Sequence, residues 1–312
     1  MEKMLEKKAV ANCPLRKTLK KIYKDRFLYF LMLPALAVTL FFKYGPMPGL
    51  VMAFQNFSIY DGLWGSEWVG LDNIIRVYSQ SKFLIAIWNT LKLSLLNILI
   101  NFPAPVILAL LINEIKYVKF KKFVQTASYL PHFLSWMSIV GLAYMLFARD
   151  GLINDIRMAL GSEERITFLS QQNLFMWFVL LIPGWKEVGW GTIIHLANIA
   201  SINPELYQAA EIDGATRWQR VRYITLPHMM PMITVLFIFQ MGTIFNSNFE
   251  LVYGLQNPYI DFEVISTIVY STGVKNGSYS LATALGFTQG LVALILVGVT
   301  NFIAKKTGGQ SI

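Results

Sequence analysis

Six long stretches nearly free of charge divide this chain. They are residues 27–42, 93–113, 123–148, 173–199, 223–249 and 276–304. Only 173–199 contains charged residues, Lys186 and Glu187. A helix crosses the roughly 30 Å hydrocarbon core of a bilayer with about 20 residues. With no water at that depth, backbone groups must satisfy one another, so each run is expected to be helical. A transmembrane barrel would show alternating segments of about ten residues instead, a pattern the sequence lacks. The composition agrees: 55% of residues are hydrophobic and 14% charged, against about 25% charged in soluble domains. The expected fold is all-α, with six spans near 27–44, 88–112, 123–148, 173–199, 227–250 and 280–304. Together they form one membrane domain, 27–304, between a basic tail (1–26) and a short C-terminal tail (305–312). The first run lacks a clear small-residue cleavage site and reads as a retained span, and the tail before it as an interfacial helix.

The net charge of +9 does not point to nucleic acid, because the basic residues sit at the ends of apolar runs. With the N-terminus inside, eighteen of the 27 Lys and Arg fall on inner segments and seven on outer loops. The short loop holding Lys116, Lys119, Lys121 and Lys122 is the clearest single vote for this orientation. The positive-inside rule then places both termini in the cytoplasm of a cell membrane. The longest outer loop, about 44–87, is rich in Trp, Gly and Tyr and suits either a docking surface or an interfacial cap. Cys13 is the one cysteine, so no internal disulfide can form. His132, His195 and His228 have no ligand spacing, so no metal site is expected.

Residues 203–227, on the inner side, carry the strongest local signal. Asn203 suits an N-cap, Pro204 the first helical position, and Glu205 the positive end of the helix dipole. Gly214 is a natural terminator. Leu206, Ala209, Ala210 and Asp213 share one face, narrow enough to enter a groove on another protein.

In this segment Gln208-Ala209-Ala210, Gly214, Ile224 and Leu226-Pro227 resemble the EAA loop of permease subunits in binding-protein-dependent ABC importers. Every spacing is kept, and Gln208 stands where the motif has Glu. The resemblance covers roughly 25–305 and includes Phe42-Lys43-Tyr44-Gly45-Pro46-Met47, Phe102-Pro103-Ala104-Pro105, Tyr129-Leu130-Pro131-His132-Phe133 and Trp185-Lys186-Glu187-Val188-Gly189-Trp190-Gly191. It is similar to the oligosaccharide and polysaccharide branch of the maltose-type family. That resemblance implies the type I ABC importer fold. It also implies a second, different permease subunit, a dimeric ATPase holding ATP and Mg, and an extracellular sugar-binding protein. Glu205, Leu206, Gln208, Ala209, Ala210, Asp213, Gly214, Arg217, Leu226 and Pro227 would form the ATPase-coupling surface. The chain contains no Gly-x-x-x-x-Gly-Lys-Ser/Thr phosphate cradle, so it is expected to bind no cofactor and to take its energy from elsewhere.

Lys186 and Glu187 fall near the middle of the fourth run, where a charge costs at least a few kcal/mol unless it meets a partner or a polar cavity. They read equally as pathway residues or as a structural ion pair. Trp185 and Trp190 offer flat faces for sugar rings. Gln240, Thr243, Asn246, Asn248 and Glu250 offer amide, hydroxyl and carboxylate groups. The resemblance places sugar contacts near Trp190 and Asn246 or Asn248. Asn97 and Asn101, at i and i+4, read more readily as helix packing.

Two other classes compete. A secondary transporter driven by an ion gradient would favour inverted repeats and buried carboxylates on several spans. A membrane-embedded enzyme would need a catalytic constellation. Neither feature is visible in the sequence.

Overall fold

The computed structural model describes residues 23–306; the expected basic tail, Cys13 and residues 307–312 lie outside them. Helices stand on all six apolar runs. Among the described residues, five helices are long and apolar enough to cross a membrane: Arg26–Phe54, Ser81–Glu114, Trp136–Ala159, Arg217–Gly242 and Tyr279–Lys306. The fourth apolar run forms the 29-residue helix Gln172–Ala200. Its Pro183, Gly184, Lys186, Glu187, Gly189 and Gly191 dilute its apolarity, yet it is the helix around which others gather. It packs on Ala104–Glu114, on Val118–Tyr129 and on Leu226–Gly242, and buries Phe175, Val179, Leu180, Thr192 and Ile199.

Two glycines permit that central position. A Cβ at Gly189 would collide with the Ser128 carbonyl, and one at Gly184 with the Asn101 side chain. The opposite case is the first helix, Arg26–Thr39, in which no residue is buried. An apolar helix with no core of its own must face lipid or another chain.

Three spans are not the continuous rods that apolarity suggests, and local chemistry explains each break. The second carries a π-helical turn, Asn97–Asn101, just before Pro103, which has no N–H to donate. The third is broken between Val118–Tyr129 and Trp136–Phe147 by a 3₁₀ turn, Leu130–Phe133. Pro131 lies in that turn, and Ser135 caps the next helix by accepting from the Ser138 N–H at 3.1 Å. The fifth ends at Gly242 and resumes as Phe249–Leu255. Between them lie Thr243, Asn246, Ser247 and Asn248, residues that compete with helix by bonding the backbone locally. Asn248 Oδ1 accepts from the Leu251 N–H at 3.0 Å and starts the second piece.

After the first span, Gln55–Asn56 and Glu67–Trp68 form a two-stranded antiparallel pair. Asn73 holds it by donating to the carbonyls of Ala53 and Gln55. Phe54 stacks on Trp68 and meets Phe287 of the last span edge-on. The loop is therefore an ordered lobe seated on the bundle.

Candidate functional site

The breaks converge. Ser94, Asn97 and Asn101 on the second span face Pro183 on the fourth and Asn246, Ser247 and Asn248 on the fifth, across a cavity of about 330 Å³. A second cavity of about 520 Å³ shares Asn97, Asn101 and Pro183 with the first and continues past Glu187, Trp190, Gln240 and Thr243. The two make one crevice along the fourth span. Asn101 crosses it, donating to Asn97 Oδ1 at 2.8 Å and to the Leu180 carbonyl at 2.9 Å. Ser94 donates to the Ile244 carbonyl beside the break in the fifth span.

Behind the crevice lies a charge cluster. Lys186 is buried, and its Nζ donates to the His132 carbonyl at 2.7 Å and to Glu187 Oε1 at 3.1 Å. That carbonyl belongs to the turn interrupting the third span. The ammonium also lies 4.8 Å from the Trp136 ring centroid, so it is paired three ways. Glu187 Oε2 lies 2.7 Å from His132 Nδ1. The His132 ring stacks on Trp190, with centroids 4.3 Å apart and planes 2° off parallel. The buried lysine, the partly exposed carboxylate and the imidazole thus back the indole that lines the crevice.

The expected pathway residues therefore separate. Glu187, Trp190, Gln240, Thr243, Asn246 and Asn248 line the crevice. Lys186 lines neither cavity; it clamps the third span to the fourth. Trp185 faces an apolar groove with Ile139, Leu142 and Trp177. Glu250 is exposed in the first turn of Phe249–Leu255, away from the cavities. Part of the Asn248 amide is engaged in capping. Asn97 and Asn101 pack as expected, Asn101 bonding across to the fourth span, and also line the cavities; Ser94 and the pairing of His132 and Trp136 with the charge cluster were not anticipated. Ser94, Asn97 and Asn101 at i, i+3 and i+7 form a polar stripe within an apolar span, and that was the available signal.

The second feature is the segment 203–227. Pro204–Ile212 is helical, with Asn203 Oδ1 accepting from the Glu205 N–H at 3.0 Å. Gly214 ends it at φ +76°, in the left-handed region. Thr216 and Gln219 form a capping box that starts Arg217–Arg220. A π-helical turn, Val221–Thr225, then runs straight into Leu226–Gly242. No residue of Pro204–Ile212 is buried; Leu206 is exposed, Ile212 is 87% and Trp218 70% exposed. Two links tie it back: Tyr207 Oη lies 2.8 Å from the buried Thr225 Oγ1, and Arg220 Nη1 3.4 Å from Glu211 Oε2. Large apolar side chains left this open are the kind of feature that marks interaction sites.

A family model described as a binding-protein-dependent transport system inner membrane component matches residues 101–307. The chain belongs to this family. It is a membrane-embedded permease of the ABC transporter kind. It is 43% identical over 300 residues, 95% of this chain and 93% of the other, to the polygalacturonan/rhamnogalacturonan transport system permease protein YteP of Bacillus subtilis (strain 168). It is 27% identical over 88% of its length to the arabinooligosaccharides transport system permease protein AraP of the same organism. A solved chain from a bacterial ABC transporter involved in the import of the acidic polysaccharide alginate is 38% identical. That chain superposes with a TM-score of 0.84, covering 93% of this permease and 99% of itself. The same fit holds for the alginate transporter in complex with an alginate pentasaccharide-bound periplasmic protein. These likenesses support the all-α type I importer fold and an importer that depends on a binding protein.

Proposed function

We propose that this permease moves oligosaccharides, of the acidic plant-polysaccharide kind named for its relatives, inward by alternating access, and that a separate ATPase drives it through residues 203–227. One observation carries the reading: the crevice and the exposed segment lie on the same two helices. The fourth span lines the crevice and leads into Asn203; the helix that begins at Arg217 ends at the crevice, at Gly242. Movement of the segment therefore has a stiff path to the crevice wall.

In this account sugar rings stack on the open face of Trp190. The hydroxyls exchange hydrogen bonds with Asn97, Asn101, Gln240, Thr243 and Asn246. Leu206, Ala209, Ala210 and the Gly214 turn enter the ATPase groove, flanked by Glu205, Gln208, Asp213 and Arg217. The positive-inside charge distribution supports a cytoplasmic position for both termini and this segment. A second, different permease subunit closes the open side of the crevice and covers the first span. ATP and Mg stay on the ATPase dimer, and a binding protein delivers the sugar from outside.

The test is uptake of galacturonate oligomers into proteoliposomes holding this permease with its partner permease, ATPase and binding protein. Uptake should require ATP and ignore an ion gradient. Uptake that survives loss of the ATPase but collapses with the gradient would establish a secondary transporter instead.

A further inference from the structure

The crevice does not end at Trp190. Its wall continues along the fourth span to His195, on the side nearest residues 203–227. From Val179 to His195 is sixteen residues, or roughly 24 Å of helix, enough for several sugar rings in line. The cavity lining also includes the apolar Phe102, Pro105, Ile194 and Leu236. His195 is 4% exposed, and its Nδ1 is buried with no hydrogen-bond partner. One turn further on, Asn198 Oδ1 is likewise buried and unpaired. A buried polar atom without a partner costs about 1–3 kcal/mol; the His195 imidazole itself lines the cavity, and a small turn of the ring brings Nδ1 within reach of a polar group there.

We propose that His195 is the innermost sugar contact of the crevice, taking a hydroxyl of the leading ring of an oligosaccharide long enough to extend past Trp190. The inference rests on the sugar reading above. The chemistry favours a hydroxyl over a fixed donor or acceptor. Nδ1 is donor in one imidazole tautomer and acceptor in the other, and a hydroxyl matches either. His195 lies five residues beyond Trp190, about 7.5 Å along the helix. A short sugar held at Trp190 and the Asn97–Asn101 turn does not reach it, so His195 senses length.

The experiment uses the complete transporter in proteoliposomes, with saturating binding protein preloaded with galacturonate dimer, trimer or pentamer. His195→Ala should slow pentamer uptake about three- to tenfold, as expected for one lost hydrogen bond, and leave dimer uptake within about twofold. His195→Gln, which keeps a hydrogen-bonding group of similar reach, should recover most of the pentamer rate. An equal loss at every length would show a structural role and overturn the proposal, as would an unchanged pentamer rate. If the unsubstituted transporter moves none of the oligomers, the sugar reading falls first, and this inference with it.

Discussion

The crevice and the segment 203–227 are held in opposite ways. Around the crevice, the second, third and fourth spans are cross-linked: Asn101 to Leu180, Lys186 to His132, Glu187 to His132, His132 to Trp190. The segment has two ties, Tyr207 to Thr225 and Glu211 to Arg220, and leaves its apolar residues in the open. A site that selects must keep its groups in place before the ligand arrives. A lever needs a firm joint to its load and a free face for whatever pushes it. The same chain supplies both because the joint, Val221–Thr225, is continuous with the helix that ends at the crevice.

The sharpest way to break this contrast is to charge the free face. Ala210→Arg should abolish uptake, by at least about 100-fold, since an unpaired charge in a closed interface costs some 3 kcal/mol or more. ATPase copurification should fall with it, while the spans stay inserted. Gly214→Asp should act alike, because it forces a side chain onto φ +76°; normal transport by either variant would remove the role given to this face. A smaller effect is expected from loosening the crevice's support. Lys186→Ala leaves Glu187 with His132 alone and frees the His132 carbonyl; it should lower stability by about 1–3 kcal/mol, read as early thermal unfolding of the purified complex. Trp190→Ala should reduce uptake roughly tenfold, on the order of one aromatic contact of ~1.4 kcal/mol, with ATPase docking intact. The smallest effect belongs to the joint. Tyr207→Phe removes one hydrogen bond worth about 0.5–1.5 kcal/mol and should lower sugar moved per ATP without weakening docking. If docking fails instead, Tyr207 belongs to the interface.

The two regions were also unequally legible. The segment's signals are consecutive: an Asn cap, a Pro after it, alanines on one face, a Gly at the stop. Each keeps its meaning whatever the rest of the chain does, and each appears in the structure as expected. The six spans were legible for a similar reason, since apolarity over 20 residues needs no tertiary context. The crevice joins residues near 94–101, 183–190 and 240–248, and a polar residue within a span looks the same whether it packs or lines a cavity. Asn97 and Asn101 do both. Trp185 and Trp190, five residues apart, lie about 140° apart around a helix, and the structure puts Trp185 in the apolar groove and Trp190 in the crevice. For Lys186 the structural ion pair was one of the two readings the sequence offered; its main acceptor, a carbonyl freed by a break 54 residues away, was not readable.

The measurement that bears most directly on the whole account follows the crevice while the segment is driven. With Cys13→Ser and Asn246→Cys, the crevice carries the one thiol of this chain, and a membrane-impermeant maleimide applied from either side reports which way it opens. With ATP and a trapped ATPase transition state, labelling should switch from the side of residues 203–227 to the opposite side, and Ala210→Arg should abolish the switch. A switch that persists in Ala210→Arg would contradict the claim that this segment drives the crevice.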